Sequence, residues 1–263
     1  MKKRAPRLAW SWLWFVLGAA YFIVPLYATI DFSLRAKRGE LSLLAYSNVL
    51  KDSRFGETFL FSAEMALLTI VAGIILIVPT AYWVHMRLPR LRPVMEFITL
   101  LPFVVPAVVL VFGLIRIYAH PPLMLVSSPA LLVAGYLVLA LPYMYRAVDT
   151  GLRAIDIRSL TEAAQSLGAT WPEIITRVIL PNLRASILSG AFVTFAIVMG
   201  EFTLASLLVW PAFGPYMNLL SSSKVYEPSA LAVISFALTW GATAVIQVLS
   251  RRIPGQAPMA GPR

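Results

Sequence analysis

Long apolar stretches alternate with shorter polar segments along the chain, and six of the stretches are long enough to cross a lipid bilayer. A helix rises about 1.5 Å per residue and needs about 20 mostly apolar residues to cross the hydrocarbon core. We therefore predict an all-α fold with six membrane-spanning helices, at residues 8–30, 59–84, 94–115, 129–145, 185–210 and 229–249.

The first stretch could also be read as a secretory signal peptide, because basic residues precede it at Lys2, Lys3, Arg4 and Arg7. Signal peptides carry an apolar run of about 7 to 15 residues and a small-residue cleavage site. The run here is longer and no clear small-x-small site follows it. We expect the stretch to be retained as the first helix.

The composition supports a protein built in lipid. Of 263 residues, 59% are hydrophobic and only 13% are charged, whereas soluble domains carry about 25% charged residues. The net charge of +10 could indicate nucleic-acid binding, but basic loops on the cytoplasmic side of a membrane protein account for it equally. The arrangement of the spans favours the second explanation, so we expect a lipid bilayer and no nucleic acid. With no cysteine in the chain, disulfides and thiolate metal sites are excluded.

The basic residues predict the orientation. If the N-terminus, the second and fourth loops and the C-terminus are cytoplasmic, that side holds 15 basic residues and the other side holds 7. The positive-inside rule then places both termini in the cytoplasm. We predict an N-terminal helix with an extracytoplasmic loop at residues 1–58, containing a short helix near 42–50. A core of five spans follows at 59–250, and a flexible cytoplasmic tail at 251–263.

The third span contains Pro102 and Pro106. Each proline removes a backbone donor, so we predict a kink or local unwinding there. Two interpretations are open: a bent helix that faces a translocation cavity, and a bent helix that simply packs.

The polar interval 146–184 has the local chemistry of two short helices joined by a bend. Ser159 stands three residues before Glu162, and Thr170 stands three residues before Glu173. Both pairs fit capping boxes. Gly168, between the pairs, suits the left-handed residue that follows a helix end. Such a helix–bend–helix could fit a groove on a partner protein.

Seven residues of this interval, within the predicted loop 151–184, resemble the EAA motif of type I ABC importer permeases, whose pattern is EAA, three residues, G, nine residues and I-x-L-P. They are Glu162, Ala163, Ala164, Gly168, Val178, Leu180 and Pro181. The spacing matches throughout, and the one departure is Val178 in place of isoleucine. The resemblance extends over residues 57–249.

The resemblance implies a type I importer permease fold whose loop couples to an ATPase. It also implies the partners: an ATP-binding cassette ATPase dimer, a second permease, which we expect to be a paralogue, and an extracytoplasmic substrate-binding protein. The chain has no G-x-x-x-x-G-K-[ST] motif, so we expect no catalytic residue and no cofactor here, with ATP and Mg on the ATPase. The implied location is a bacterial inner membrane.

Glu201 is the clearest ionisable residue inside a predicted span, and Thr203 follows it. Intramembrane charges are expensive and mark functional sites by default. Glu201 could line the path of a cationic substrate, such as a polyamine, together with Thr203, Pro102 and Pro106. Alternatively it could be hydrogen-bonded to a neighbouring span and hold the bundle together. No metal site is expected, since neither His85 nor His120 has partners at ligand spacing.

Two other classes of function were compared with the importer. An ATP-independent secondary transporter or channel usually shows paired intramembrane charges or broken helices repeated in two halves. An intramembrane enzyme needs converging catalytic groups. The sequence shows no repeat and no nucleophile motif, so the secondary transporter is the alternative and the enzyme is remote.

Overall fold

The computed structural model describes residues 5–37 and 39–251, which form twelve helices and one 3-10 turn, Pro89–Leu91, and contain no β-strand. In chain order the helices are α1 (Ala5–Ser33), α2 (Leu44–Lys51), α3 (Ser53–Met86), α4 (Arg92–Val104), α5 (Ala107–Tyr118), α6 (Pro129–Arg153), α7 (Ile157–Ser166), α8 (Trp171–Asn182), α9 (Arg184–Gly200), α10 (Thr203–Leu207), α11 (Phe213–Ser223) and α12 (Glu227–Arg251). The all-α fold predicted from the sequence is confirmed. The short helix expected near 42–50 is present as α2.

Three single helices within the described residues are long and apolar enough to cross a membrane: Trp10–Ser33, Ser53–Met86 and Pro129–Arg153. They correspond to the first, second and fourth predicted spans. The third and fifth correspond to bent pairs, α4 with α5 and α8 with α9, and the total rises to five if each pair counts as one span. The count of six stays a prediction.

The predicted kink in the third span is confirmed. The axes of the helical stretches on its two sides, Pro89–Val104 and Ala107–Tyr118, differ by 100°. Val105 is extended, with φ −89° and ψ 113°, and Pro106 caps α5. A residue before proline is pushed out of the helical region by the proline ring, so Pro106 explains the position of the break. Pro102 lies inside α4.

The fifth predicted span, 185–210, was wrong as one continuous helix. The helix α9 ends at Gly200, and Glu201 is extended, with φ −76° and ψ 126°. The five-residue α10 follows at Thr203–Leu207. The Glu201 carboxylate accepts hydrogen bonds from backbone N–H groups of α10. Acidic side chains compete with helical backbone bonds in this way and favour helix starts over helix interiors.

The chain divides into two compact units. The first comprises Met1–Gly56 and Met217–Trp240. In it, α2 is held by polar contacts: the Ser33 and Tyr46 hydroxyls are 2.7 Å apart, and Asn48 Nδ2 donates to Glu227 Oε1 at 3.0 Å. The large apolar side chains of α1 between Trp10 and Ile30 are exposed, as is usual for a helix that faces lipid.

The second unit comprises Glu57–Tyr216 and Gly241–Arg263. It contains two hydrophobic clusters. The cluster called here the loop-side cluster joins α3, α6, α7 and α8, and its buried residues include Tyr82, Met144, Leu152, Ile174 and Ile179. The second joins α3, α5, α6, α9 and α10 around Val111, Tyr136 and Leu204.

Two boundaries of the prediction need comment. The helix α6 continues to Arg153, eight residues past the predicted end of the fourth span. Residues 252–263 of the predicted tail lie outside the described residues, and the predicted division of the chain at residues 58 and 250 stays a prediction.

Candidate functional site

The loop between α6 and α9 begins with a helix that is capped by an aspartate. Asp156 Oδ1 accepts a hydrogen bond from the Ser159 backbone N–H at 3.2 Å, and its Oδ2 accepts one from the Ser159 hydroxyl at 2.7 Å. These bonds from Ser159 hold the pKa of the Asp156 carboxyl below its usual value. The capping box predicted at Ser159 and Glu162 was therefore wrong: α7 begins at Ile157, and Ser159 lies inside its first turn.

The bend after α7 is a Schellman motif, centred on Gly168. The Gly168 N–H donates to the Gln165 carbonyl at 2.9 Å, and the Ala169 N–H donates to the Ala164 carbonyl at 3.0 Å. Gly168 has a φ of +81°, which glycine adopts at little cost because it has no Cβ. The left-handed residue predicted at Gly168 is confirmed.

The second half of the loop begins as predicted at Thr170 and Glu173. Glu173 Oε2 accepts a hydrogen bond from the Thr170 N–H at 2.9 Å and another from the Thr170 hydroxyl at 2.8 Å. The bonds to the Thr170 backbone and hydroxyl lower the pKa of Glu173. From Ile174 to Ile179 the backbone of α8 is a π-helix. This form is rare in proteins, and where it occurs it is often found at functional sites.

The seven motif residues do not share one environment. Glu162, Ala163 and Gly168 are exposed around the bend, whereas Ala164 is buried in the loop-side cluster. The remaining three are half-buried: Val178, Leu180 and Pro181. The three exposed residues face solvent, whereas Ala164, Val178 and Leu180 pack in or against the loop-side cluster.

The sequence analysis missed one exposed residue of the bend. The Leu167 side chain is 88% exposed, directly before Gly168. An apolar residue next to the glycine that ends a helix was the available signal. With Glu162 and Ala163 it gives the bend a small apolar surface flanked by a carboxylate.

The last turn of α3 contacts both halves of the loop. The Tyr82 hydroxyl lies 2.9 Å from the Thr161 hydroxyl of α7, and both are buried. The rings of Trp83 and Trp171 have centroids 4.8 Å apart. The Arg87 guanidinium lies 5.4 Å from the centroid of the Trp83 ring and 5.0 Å from that of Trp171.

A polar cluster joins α3, α4 and α6 at the same end. His85 Nε2 lies 2.6 Å from Asp149 Oδ1, and Arg92 donates to His85 Nδ1 at 3.1 Å. Because a guanidinium only donates hydrogen bonds, His85 Nδ1 is the acceptor. Nε2 therefore carries the hydrogen and donates a hydrogen bond to Asp149. Arg153 bonds to Asp149 at 2.8 Å and to Glu96 at 3.3 Å. His85 is thus part of a structural network.

The predicted path residues lie at two breaks of the backbone. Pro102 and Pro106 flank the bend between α4 and α5, and Glu201 and Thr203 stand at the break between α9 and α10. The helices that follow the breaks, α5 and α10, pack in one hydrophobic cluster.

Glu201 is buried, and its carboxylate is engaged by the chain itself. Its two oxygens accept from the Leu204 N–H at 2.9 and 3.0 Å, and Oε2 accepts from the Ala205 N–H at 3.2 Å. Gly214 packs so closely here that a Cβ would overlap the Glu201 carbonyl oxygen. In this conformation Glu201 stabilises the break by hydrogen bonds to its own segment of the chain, three and four residues ahead. Its role in the path or in bonding a neighbouring span stays a prediction.

An open cavity lies elsewhere, between α4, α6 and α9. It has a volume of about 730 Å³, and its lining includes Phe103, Tyr143, Arg146, Ser186 and Ser189. In the part of the chain that the structure describes, none of the four predicted path residues contributes to this lining. The sequence analysis did not single out these residues, because only the packing of three helices brings them together.

Comparisons with known proteins agree with this architecture. The model of the family described as "Binding-protein-dependent transport system inner membrane component" matches residues 70–253. Among solved structures, a bacterial ABC transporter involved in the import of the acidic polysaccharide alginate gives a TM-score of 0.70 at 14% identity, over 97% of this chain and 100% of that chain. An amino acid ABC transporter gives 0.56 at 19% identity, over 79% of this chain and 98% of that one. At these identities the structures show the fold alone.

Curated relatives are similar over part of the chain. The spermidine/putrescine transport system permease protein PotB of Escherichia coli is 26% identical over 176 residues, which are 60% of this chain and 63% of the relative. A probable molybdenum ABC transporter permease protein of Haloferax volcanii is 31% identical over 155 residues, 57% of each chain. The chain thus matches less than two thirds of the length of these relatives.

Proposed function

The chain belongs to the family of binding-protein-dependent transport system inner membrane components, and from this premise we propose that it is a permease subunit of an ATP-driven importer. The family predicted from the EAA motif is confirmed. The observation that carries the proposal is the loop at 151–184, which lies inside the matched region 70–253. It presents an exposed bend and is fixed to the membrane helices.

In this proposal the bend around Gly168 docks on a soluble ATPase. Three features support docking. Leu167 is exposed and apolar. Ala163 is small and exposed, so a partner surface can approach closely. Glu162 offers a carboxylate to a basic group of the partner. The buried residues of the loop-side cluster attach this surface to α3 and α6.

The remaining parts of the importer follow from the same premise. Hydrolysis belongs to a separate ATPase dimer that binds ATP and Mg, because this chain has no P-loop. A second permease, which we expect to be a paralogue, supplies the other half of the path, and an extracytoplasmic binding protein delivers the substrate. Both termini lie in the cytoplasm of a bacterial cell. ATP-driven closure of the ATPases shifts the permeases between inward- and outward-facing states.

The substrate class proposed is a small cation such as a polyamine. The support is the name of the Escherichia coli relative and of similar relatives from other enterobacteria, which are spermidine/putrescine permeases. Another relative is a probable molybdenum permease, so binding of an oxyanion is the result that would replace the polyamine proposal. The path residues proposed are Glu201, Thr203, Pro102 and Pro106, because irregular backbone at membrane depth is tolerated where protein buries it or water reaches it.

The proposal is tested by purifying the tagged chain from its native membrane in mild detergent and identifying the proteins that come with it. We expect a P-loop ATPase, a second permease and a binding protein. The binding protein is then titrated with putrescine, spermidine and molybdate, and we expect the two amines to bind. Recovery of the chain alone, together with ATP-independent flux in liposomes, would instead establish the secondary transporter.

A further inference from the structure

We propose that Arg87 is a positioning residue that makes the loop and α3 move as one body during transport. This inference rests on the proposed function, because it concerns how movement of an ATPase at the bend would reach the membrane helices. It adds to that function a specific contact, in which the Arg87 guanidinium lies against the rings of both Trp83 and Trp171. None of these three residues belongs to the EAA motif.

Two attachment points flank the exposed bend, one on each side. Thr161 of α7 comes six residues before Leu167, and its hydroxyl is 2.9 Å from the Tyr82 hydroxyl. Trp171 of α8 comes four residues after Leu167, and its ring contacts that of Trp83 with the two planes tilted by 45°. Tyr82 and Trp83 are neighbours near the end of α3. The same end of one long helix therefore holds both arms of the bend.

The two attachment points differ in strength. The pair of Tyr82 and Thr161 is buried, so it is protected from water and fixed. Trp171 is only half-buried, and Arg87 covers it from the outside. A guanidinium within about 6 Å of an aromatic centroid is attracted by the ring, and both rings here meet that distance. Arg87 directly follows α3, which ends at Met86, and its backbone N–H donates to the Trp83 carbonyl at 2.9 Å. This turn brings the guanidinium back towards the Trp83 ring.

The chemistry of Arg87 suits this role. Arginine is planar and always charged, and it stacks on aromatic rings more readily than lysine does. Among the side chains that the structure describes, the ion pairs of this region involve Arg153 and Arg177, and Arg87 has no carboxylate partner. The contact with the two rings is therefore the interaction that orients Arg87. Through it α3, a helix of 34 residues, receives the movement of the first turn of α8.

The magnitude expected is modest but measurable. Exposed cation–π contacts contribute about 0.5–1 kcal/mol each. Loss of both contacts corresponds to about a 5- to 30-fold fall in the ratio of attached to detached orientations of the α8 start. The buried Ile174 and Ile179 keep the rest of α8 in place, so we expect the bend to gain freedom without unfolding of the loop.

The test uses the absence of native cysteines. Two spin labels are placed at exposed positions, Pro172→Cys in the first turn of α8 and Leu76→Cys on α3, and the distance distribution between them is measured by pulsed electron resonance. The complex with its ATPase is measured without nucleotide and with ATP and vanadate. We expect one narrow distribution in each state for the parent chain and a broad or second population for Arg87→Ala. Arg90→Ala, in the same exposed connection, is the matched control.

Arg87→Lys and Trp171→Leu complete the test. For Arg87→Lys we expect a distance distribution narrower than that of Arg87→Ala but broader than that of the parent, because a cation is restored without its planar stacking. Trp171→Leu should broaden the distribution as Arg87→Ala does. Distributions of Arg87→Ala that match the parent in both states would overturn the inference, as would equal broadening by Arg90→Ala. Failure of the parent chain to bind any ATPase is a different result: it would contradict the proposed function, while the nucleotide-free distances would still decide the role of Arg87.

Discussion

Replacement of Gly168 by valine should weaken docking of the ATPase without preventing membrane insertion. The φ of +81° at Gly168 lies in the left-handed region, where a residue with a Cβ pays about 1–2 kcal/mol. A Cβ at this position would meet no described atom within 4 Å. The cost therefore arises in the backbone of the bend rather than from a clash.

A cost of about 1–2 kcal/mol disfavours the native bend about 5- to 30-fold. If the ATPase binds the native bend, its dissociation constant should rise by the same factor. The measurement titrates the purified ATPase against the chain in nanodiscs, with chain yield and thermal unfolding recorded as controls. Gly168→Asn is the matched variant, because asparagine tolerates the left-handed region, and it should bind nearly as well as the parent. Gly168→Ala should lie between the two.

Two results would refute this reasoning. Parent-like affinity of Gly168→Val would mean that the ATPase does not require the native bend. Equal loss of affinity in Gly168→Asn and Gly168→Val would mean that any added side chain obstructs the interface, and the backbone explanation would fail.

Three further predictions concern stability. The pKa values of Asp156 and Glu173 are lowered in the folded chain. Their contributions to the stability of the loop are therefore complete above the unfolded-state pKa values of about 3.9 and 4.3. They are lost as the pH falls through the lower folded-state values, so amide exchange in α7 and α8 should accelerate below about pH 4, and Asp156→Ala should remove the α7 part of this dependence. Glu201→Ala should reduce yield more than Glu201→Gln, because an amide oxygen still accepts a backbone bond; equally low uptake at normal yield in both variants would indicate a path role. His85→Ala should destabilise the chain by about 1–3 kcal/mol in thermal unfolding, because it removes a partner of the largely buried Asp149,; an unchanged melting temperature would contradict this.

Local signals in the sequence were sufficient for the bends at Pro106 and Gly168. Gly168, the pair of Thr170 and Glu173, and Pro106 act through their own backbone or through residues at most four positions away, so their effects are visible without a fold. The Asp156 cap was missed because two candidate caps stand three residues apart, at Asp156 and Ser159. The structure favours the aspartate, whose carboxylate accepts both bonds that Ser159 offers.

The long-range contacts could not be predicted. Trp83 and Trp171 are far apart in the chain, and no periodicity or spacing joins them. The break at Glu201 was also hidden, because an apolar run predicts a continuous helix unless a side chain folds back on the backbone. The lining of the cavity beside Arg146 depends on how three helices pack. That packing cannot be predicted from the sequence of any one of the helices.

The most direct test of the account is a cross-link between the bend and an ATPase. Since the chain has no cysteine, Leu167→Cys introduces a single reactive thiol at an exposed position. Leu43→Cys, also exposed but on the predicted outer loop, is the control. We expect a thiol-reactive cross-linker added to native membranes to join position 167, and not position 43, to a protein with a P-loop, with a yield that changes on addition of ATP. Efficient cross-linking of the ATPase to position 43 but not to position 167 would contradict the account.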